Sequence, residues 1–308
     1  MQPEKLFELS RLKNTKSLFW LAVISVVGSL VLVPLWILDS RELLGVSVWE
    51  KPIKFFISSA IFSFTYSWLS SFITKGARWV KLAGLFITIS LTVELVLISA
   101  MAILGTTSHF NVSSPTAIVI WSLMATFISI VLFSTIFISL MILLQKQEFN
   151  LKLALALGSI NTAVGMGLAY LMTRPTAAQL ANYQGIAGAH AVGVSDGGPG
   201  LPFLGWSTVA GDLRVGHFFG LHSIQVAAIL LALSLLMPMA FRIPLIVIGN
   251  ITWLGFVGLV TWQSLRAEPF ASPSALTLTG LAVLLAVAAL SFVLLVMVQS
   301  RSKSKQLP

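Results

Sequence analysis

Four histidines are the side chains best suited to chemistry in this chain: His109 in GTTSHFN, His190 in GIAGAHAVG, and His217 and His222 in DLRVGHFFGLHSIQ. Imidazoles serve as axial ligands to haem iron, as zinc ligands and as proton carriers near neutral pH. His217 and His222 are five residues apart, which on an ideal helix leaves their side chains about 140° apart. One of them can aim at a site shared with His109; both can only if the helix begins at or after His217. His222 is the first choice of ligand and His217 the alternative. The accessories of a haem b site are present as well. Gly216 and Gly220 leave room for a flat macrocycle, and Arg214 can pair with a propionate.

Three carboxylates offer other chemistry. For zinc, His109, His217 and His222 with an open fourth position would suit a hydrolase, and Asp196 or Asp212 is the candidate ligand, acid or base. Glu94 falls in the middle of an apolar run, where an ionised carboxylate costs about 2.5 to 3.5 kcal/mol on insertion scales for a comparable Asp. It should be protonated or face an internal partner, and it could carry a proton in a permease. Its spacing from His109 puts the two within about 60° on one helical face and about 22 Å apart along the axis, so they can be two stations of one path.

The elements that must position these groups follow from composition. The 308 residues are 57% apolar and 9% charged, with a mean hydropathy of +0.95. A soluble domain carries about 25% charged residues, so this composition excludes one, and its apolar content excludes disorder. A net charge of +9 does not imply nucleic acid, because the bases lie in short caps between apolar runs rather than on one solvated face. The absence of cysteine excludes disulfides, iron–sulfur clusters, thiolate zinc sites and covalently attached haem.

The fold class expected is an all-α polytopic membrane bundle, a single domain over 1–308. A hydrocarbon core needs about 20 apolar residues per helix, and runs of that kind fall at about 17–38, 54–73, 82–104, 116–144, 153–172, 216–239, 244–264 and 274–298. These eight crossings put both termini on one side. Of the 19 Lys and Arg, 13 fall on that side and 6 on the other, so the positive-inside rule makes the termini cytoplasmic. The place expected is a bacterial plasma membrane, with the lipid bilayer as solvent.

The stripe Ser59, Ser63, Ser67 and Ser71 lets a neighbouring backbone approach closely, and Asn161 and Asn250 are expected to hydrogen-bond between helices. Trp206, Trp49, Trp36, Trp121 and Trp262 sit where an outer aromatic belt would lie. The long segment 173–215 is expected to fold as a cap over the outer mouth. All four histidines fall in the outer half, which excludes a two-haem wire across the membrane. The functional expectation is a haem- or metal-binding protein with one site near the extracytoplasmic face, in a redox or sensing role. It would meet a small-molecule or redox partner on that side. The alternatives are the zinc hydrolase and the Glu94 permease.

Overall fold

The computed structural model describes residues 6 and 8–304. Glu4, Lys5 and Lys305, which contribute to the charge partition, lie outside them. The chain opens with one helical turn, α1 (Leu9–Leu12), then α2 (Lys16–Leu38), a small hairpin of β1 (Glu42–Leu43) and β2 (Val46–Ser47), and the helices α3 (Glu50–Ser70), α4 (Ala77–Ile103), α5 (Pro115–Leu143) and α6 (Phe149–Leu168). After a 3-10 turn over Ala169–Thr173 come α7 (Ala177–Ala181), β3 (Ala191–Val192), β4 (Gly211–Asp212), α8 (Leu213–Leu221), α9 (Ser223–Leu235), α10 (Met239–Leu265) and α11 (Ala275–Ser304).

The protein is an all-α bundle of membrane-spanning character. Six helices among the described residues, beginning at Lys16, Ala77, Pro115, Phe149, Met239 and Ala275, are long and apolar enough to cross a bilayer. α3 is 21 residues long, but its serines and its two lysines make it less apolar than they are. Its start also differs from the expected 54, because Pro52 occupies the first turn, where a missing N–H costs nothing.

The run expected at 216–239 is two helices. α8 and α9 meet at an angle of 44°, with His222 at the break. The bend frees the N–H of Ile224, which donates to Thr162 Oγ1 on α6 at 3.0 Å. In an apolar solvent a kink survives only where a neighbour satisfies the released backbone group, and Thr162 does so here.

Close approach is what binds the helices to one another. The serine stripe of α3 packs on the start of α2: Ser67 Oγ donates to the Leu12 carbonyl, and Thr15 Oγ1 lies 2.7 Å from Ser70 Oγ. Ser70 rather than Ser71 completes that stripe. Asn161 Nδ2 donates to the Asn250 carbonyl of α10 at 3.0 Å, an interhelical bond as expected of Asn161, whereas Asn250 Nδ2 donates back to the Ile246 carbonyl of its own helix at 2.8 Å. At the crossing of α6 and α8, Gly165 and Gly220 bring two backbones together. A Cβ on Gly165 would stand 2.4 Å from Gly220 Cα, and one on Gly220 would stand 2.3 Å from Gly165 Cα.

The end of the bundle holding β1, β2 and the segment 174–212 is called the cap end, and the other the terminal end. The cap segment is tied down by backbone bonds. Val112 N–H donates to Gly185, Ala187 N–H to Phe110, Ala189 N–H to Met172 and Leu213 N–H to His190, while β3 pairs antiparallel with β4. Trp206 is a correction to the belt reading: it is buried under the cap against Phe218, Phe219 and Phe270. Trp49 is buried too and donates to Asp39 at 2.8 Å. Both indoles are used to seat loops.

The glycine crossing is testable by overpacking. Gly165→Ala should destabilise the protein by about 1 to 3 kcal/mol, read as a lower melting temperature in detergent. Gly167→Ala, where an added Cβ meets nothing within 4 Å, should leave it unchanged or slightly higher.

Candidate functional site

The buried start of α3 is the centre of the site. Glu50, Lys51 and Lys54 lie in its first turns because Pro52 and the acidic first residue suit a helix N-terminus. Lys51 and Phe55 are four residues apart and share one face, and both meet His109. Lys51 Nζ is 3.1 Å from His109 Nδ1, and the Phe55 ring lies 5.8 Å from the imidazole. Ser108 Oγ is 3.0 Å from the same Nδ1, and Trp121 packs on the ring at 5.5 Å. Burial pushes His109 well below the usual histidine range, and the charges of Lys51 and His190 add to it. The ring is therefore neutral, with Nδ1 as acceptor towards the lysine.

His190 is the next group along. Its Nδ1 is 2.7 Å from Asp196 Oδ2, and its own N–H and that of Ala191 donate to the same carboxylate. Burial raises the Asp196 carboxyl, but the bonds from the His190 ring and from the two backbone N–H groups outweigh it and hold the group at about 2. For His190, burial favours the neutral ring and the bond to Asp196 opposes it, the net effect being a lowered value.

The four histidines do not converge on one point. Electrostatic neighbours run from His109 to His190, from His190 to His217, and from His217 to His222. His217 Nδ1 is 2.8 Å from the Gly165 carbonyl. His222 lies against the Phe218 ring at 4.6 Å. Among the described residues no group of three His, Asp or Glu is gathered as a metal site requires. The cofactor accessories are also engaged elsewhere. The face of Gly220 is filled by Gly165, and a Cβ on Gly216 would stand 2.1 Å from Thr261 Oγ1.

Arg214 and Asp212 hold each other. Arg214 Nε and Nη2 donate to Asp212 at 2.9 and 2.6 Å, a two-pronged pair of the strong kind. Asp212 is fully buried, also accepts from Ser207 N–H, and caps α8 through Arg214 N–H. A carboxylate with its lone pairs so occupied is a structural cap, with none left for an attacking water. Arg214 Nη2 also donates to the Gly205 carbonyl, while Lys54 Nζ reaches Glu50 at 2.7 Å and the Leu204 carbonyl at 3.3 Å. The cap tip at Gly205 thus sits on Glu50, Lys54 and Arg214, whose charged atoms would all lie within 3.6 Å of a Cβ placed there.

Glu94 is 3% exposed. Its Oε1 has no hydrogen-bond partner, and it interacts electrostatically with Lys51. By helical rise it lies about 14 Å below the Ile103 end of α4. Lys51 is thus the neighbour shared by Glu94 and His109. Sequence reasoning gave Lys51 no place in the site; its four-residue spacing from Phe55 is the signal in the sequence that it faces inward.

Acid should loosen the cap. The Asp196 carboxylate sits below its ordinary value of 3.8, so its contribution is complete above about pH 4 and is lost as pH falls through about 2. His190 is lowered from 6.5, so the folded cap also loses stability as pH falls below that value. Limited proteolysis within 173–215 should accelerate as pH is lowered from neutrality, and Asp196→Asn should show fast cleavage already at pH 7. No protein family, curated protein or solved structure matches the chain, and the functional reading rests on these residues.

Proposed function

We propose that the protein crosses the membrane eight times with both termini cytoplasmic, and that it passes protons, alone or with a small solute, between Glu94 and the extracytoplasmic cap end. The orientation rests on the 13 positive residues of the 19 that fall on the terminal side. The two crossings beyond the six long apolar helices are α3 and the bent pair α8 with α9.

One observation carries the reading: a buried carboxyl with an unpartnered oxygen that interacts with a lysine held against a histidine. Ionisable groups within a bilayer are expensive and mark ion or proton paths by default. The transfer is balanced with the groups present. The Lys51 ammonium gives a proton to His109 Nδ1, the imidazolium so formed releases one at the cap end, and the neutral amine takes its replacement from the Glu94 carboxyl. Glu94 is then recharged from the terminal side. Burial keeps the imidazolium short-lived, which favours release over storage.

The haem and zinc readings depend on His109 and His222 reaching one centre, and the engaged Gly220 and Arg214 give them less support than the Glu94 path has.

In proteoliposomes carrying an internal pH dye, an imposed gradient should drive proton flux through the wild-type protein. Glu94→Gln should lower it by about tenfold or more, the scale of a lost proton-transfer group. Absence of wild-type flux would overturn the reading. A Soret band that disappears on His109→Ala or His222→Ala would select haem in its place.

A further inference from the structure

The Glu94 path needs a connection to the terminal end, and the hydroxyl groups of the bundle point to one. Many Ser and Thr on these helices bond back to their own backbone, as Thr65 does to Ile61, Thr88 to Gly84 and Ser139 to Thr135. That back-bonding is the ordinary way to satisfy a hydroxyl in an apolar solvent.

Thr277 at the cap-end start of α11 and five fully buried hydroxyl groups break the pattern. Ser25 on α2, Ser63 and Tyr66 on α3, Thr135 on α5 and Ser159 on α6 are each 0% exposed, and the oxygens of Ser25, Ser63 and Ser159 have no hydrogen-bond partner. Tyr66 and Thr135 lie within interaction range of each other across α3 and α5. All five fall in the terminal half of the bundle. Measured by helical rise from the terminal ends, Tyr66 is about 6 Å in, Ser63 and Thr135 about 10 to 12 Å, and Ser25 and Ser159 about 14 to 15 Å. Tyr66 also shares a face of α3 with Lys51, the two lying within about 60° of each other. Buried oxygens left without partners at graded depths on several helices are groups that entering water would satisfy, since each water takes two to four polar partners.

We propose that Ser63, Tyr66, Thr135 and Ser159 line a path, closed in this structure, that opens to water and links Glu94 to the terminal end of the bundle. The proposal rests on the proton-transfer reading for its purpose, but its test does not need transport. The chain has no cysteine, so a single thiol can be placed at will. Ser63→Cys and Ser159→Cys change one atom each, and two positions protect against a variant that fails to fold. Silver ion, small enough to follow a water file, is applied to protein in liposomes. Block of the thiol is then read as loss of maleimide labelling after denaturation.

Both thiols should be blocked about tenfold or more faster than Ser139→Cys, which is also buried and lies nearer the terminal end of α5, but whose hydroxyl is back-bonded. Equal rates at all three positions would overturn the path. Fast block in a protein that shows no proton flux would keep the path and remove the proton-transfer reading, so the two failures are distinct.

Discussion

Within a bilayer every polar group must find its partner inside the protein, and most of this structure is an answer to that constraint. The N–H released where α8 bends into α9 goes to Thr162. The Asn161 amide goes to a carbonyl of α10, and the serines of α3 go to the turn that precedes α2. Glycines make these bonds reachable by letting backbones touch, as Gly165 and Gly220 do. The groups left over are therefore informative. Among the described residues, Glu94, Thr277 and hydroxyls nearer the terminal end are the exceptions.

The cap end obeys the same rule with charges. Lys54 and Glu50 pair beneath the loop tip, Arg214 and Asp212 pair beside them, and Asp196 clasps His190. Each pair has additional bonds to backbone, which is the condition under which a half-buried ion pair is tolerated. Lys51 differs from its neighbours. It has a histidine ring in hydrogen-bond range, and a carboxyl further in that interacts with it through space. In the proposed transfer, that arrangement lets a proton be shared between the buried carboxyl and the cap.

Much of the bundle was legible in the sequence because apolar runs of spanning length are unambiguous. The start of α5 at Ser114 and Pro115 and the interhelical role of the Asn161 amide could be anticipated from local chemistry. The break at His222 could not, since the apolar run passes through it unchanged and the cause lies on α6. The histidines were located by sequence in one half of the molecule, but their order in space depends on the pairing of 185–192 with 110–112 and 211–213, which spacing along the chain does not encode. For the same reason Asp212 and Arg214 read as free chemical groups, whereas the fold commits them to one another. The role of Lys51 was hidden because it depends on a contact across 58 residues.

The central claim is that Glu94 exchanges its proton in communication with Lys51. Infrared difference spectroscopy of the protein in liposomes reads that event directly, through the C=O stretch of a carboxylic acid as pH is varied. The account predicts a band that appears and vanishes with pH, is absent in Glu94→Gln, and moves when Lys51 is replaced in Lys51→Met. A carboxylic acid signal that is the same in wild type and Glu94→Gln at every pH, or that ignores the loss of Lys51, would contradict it.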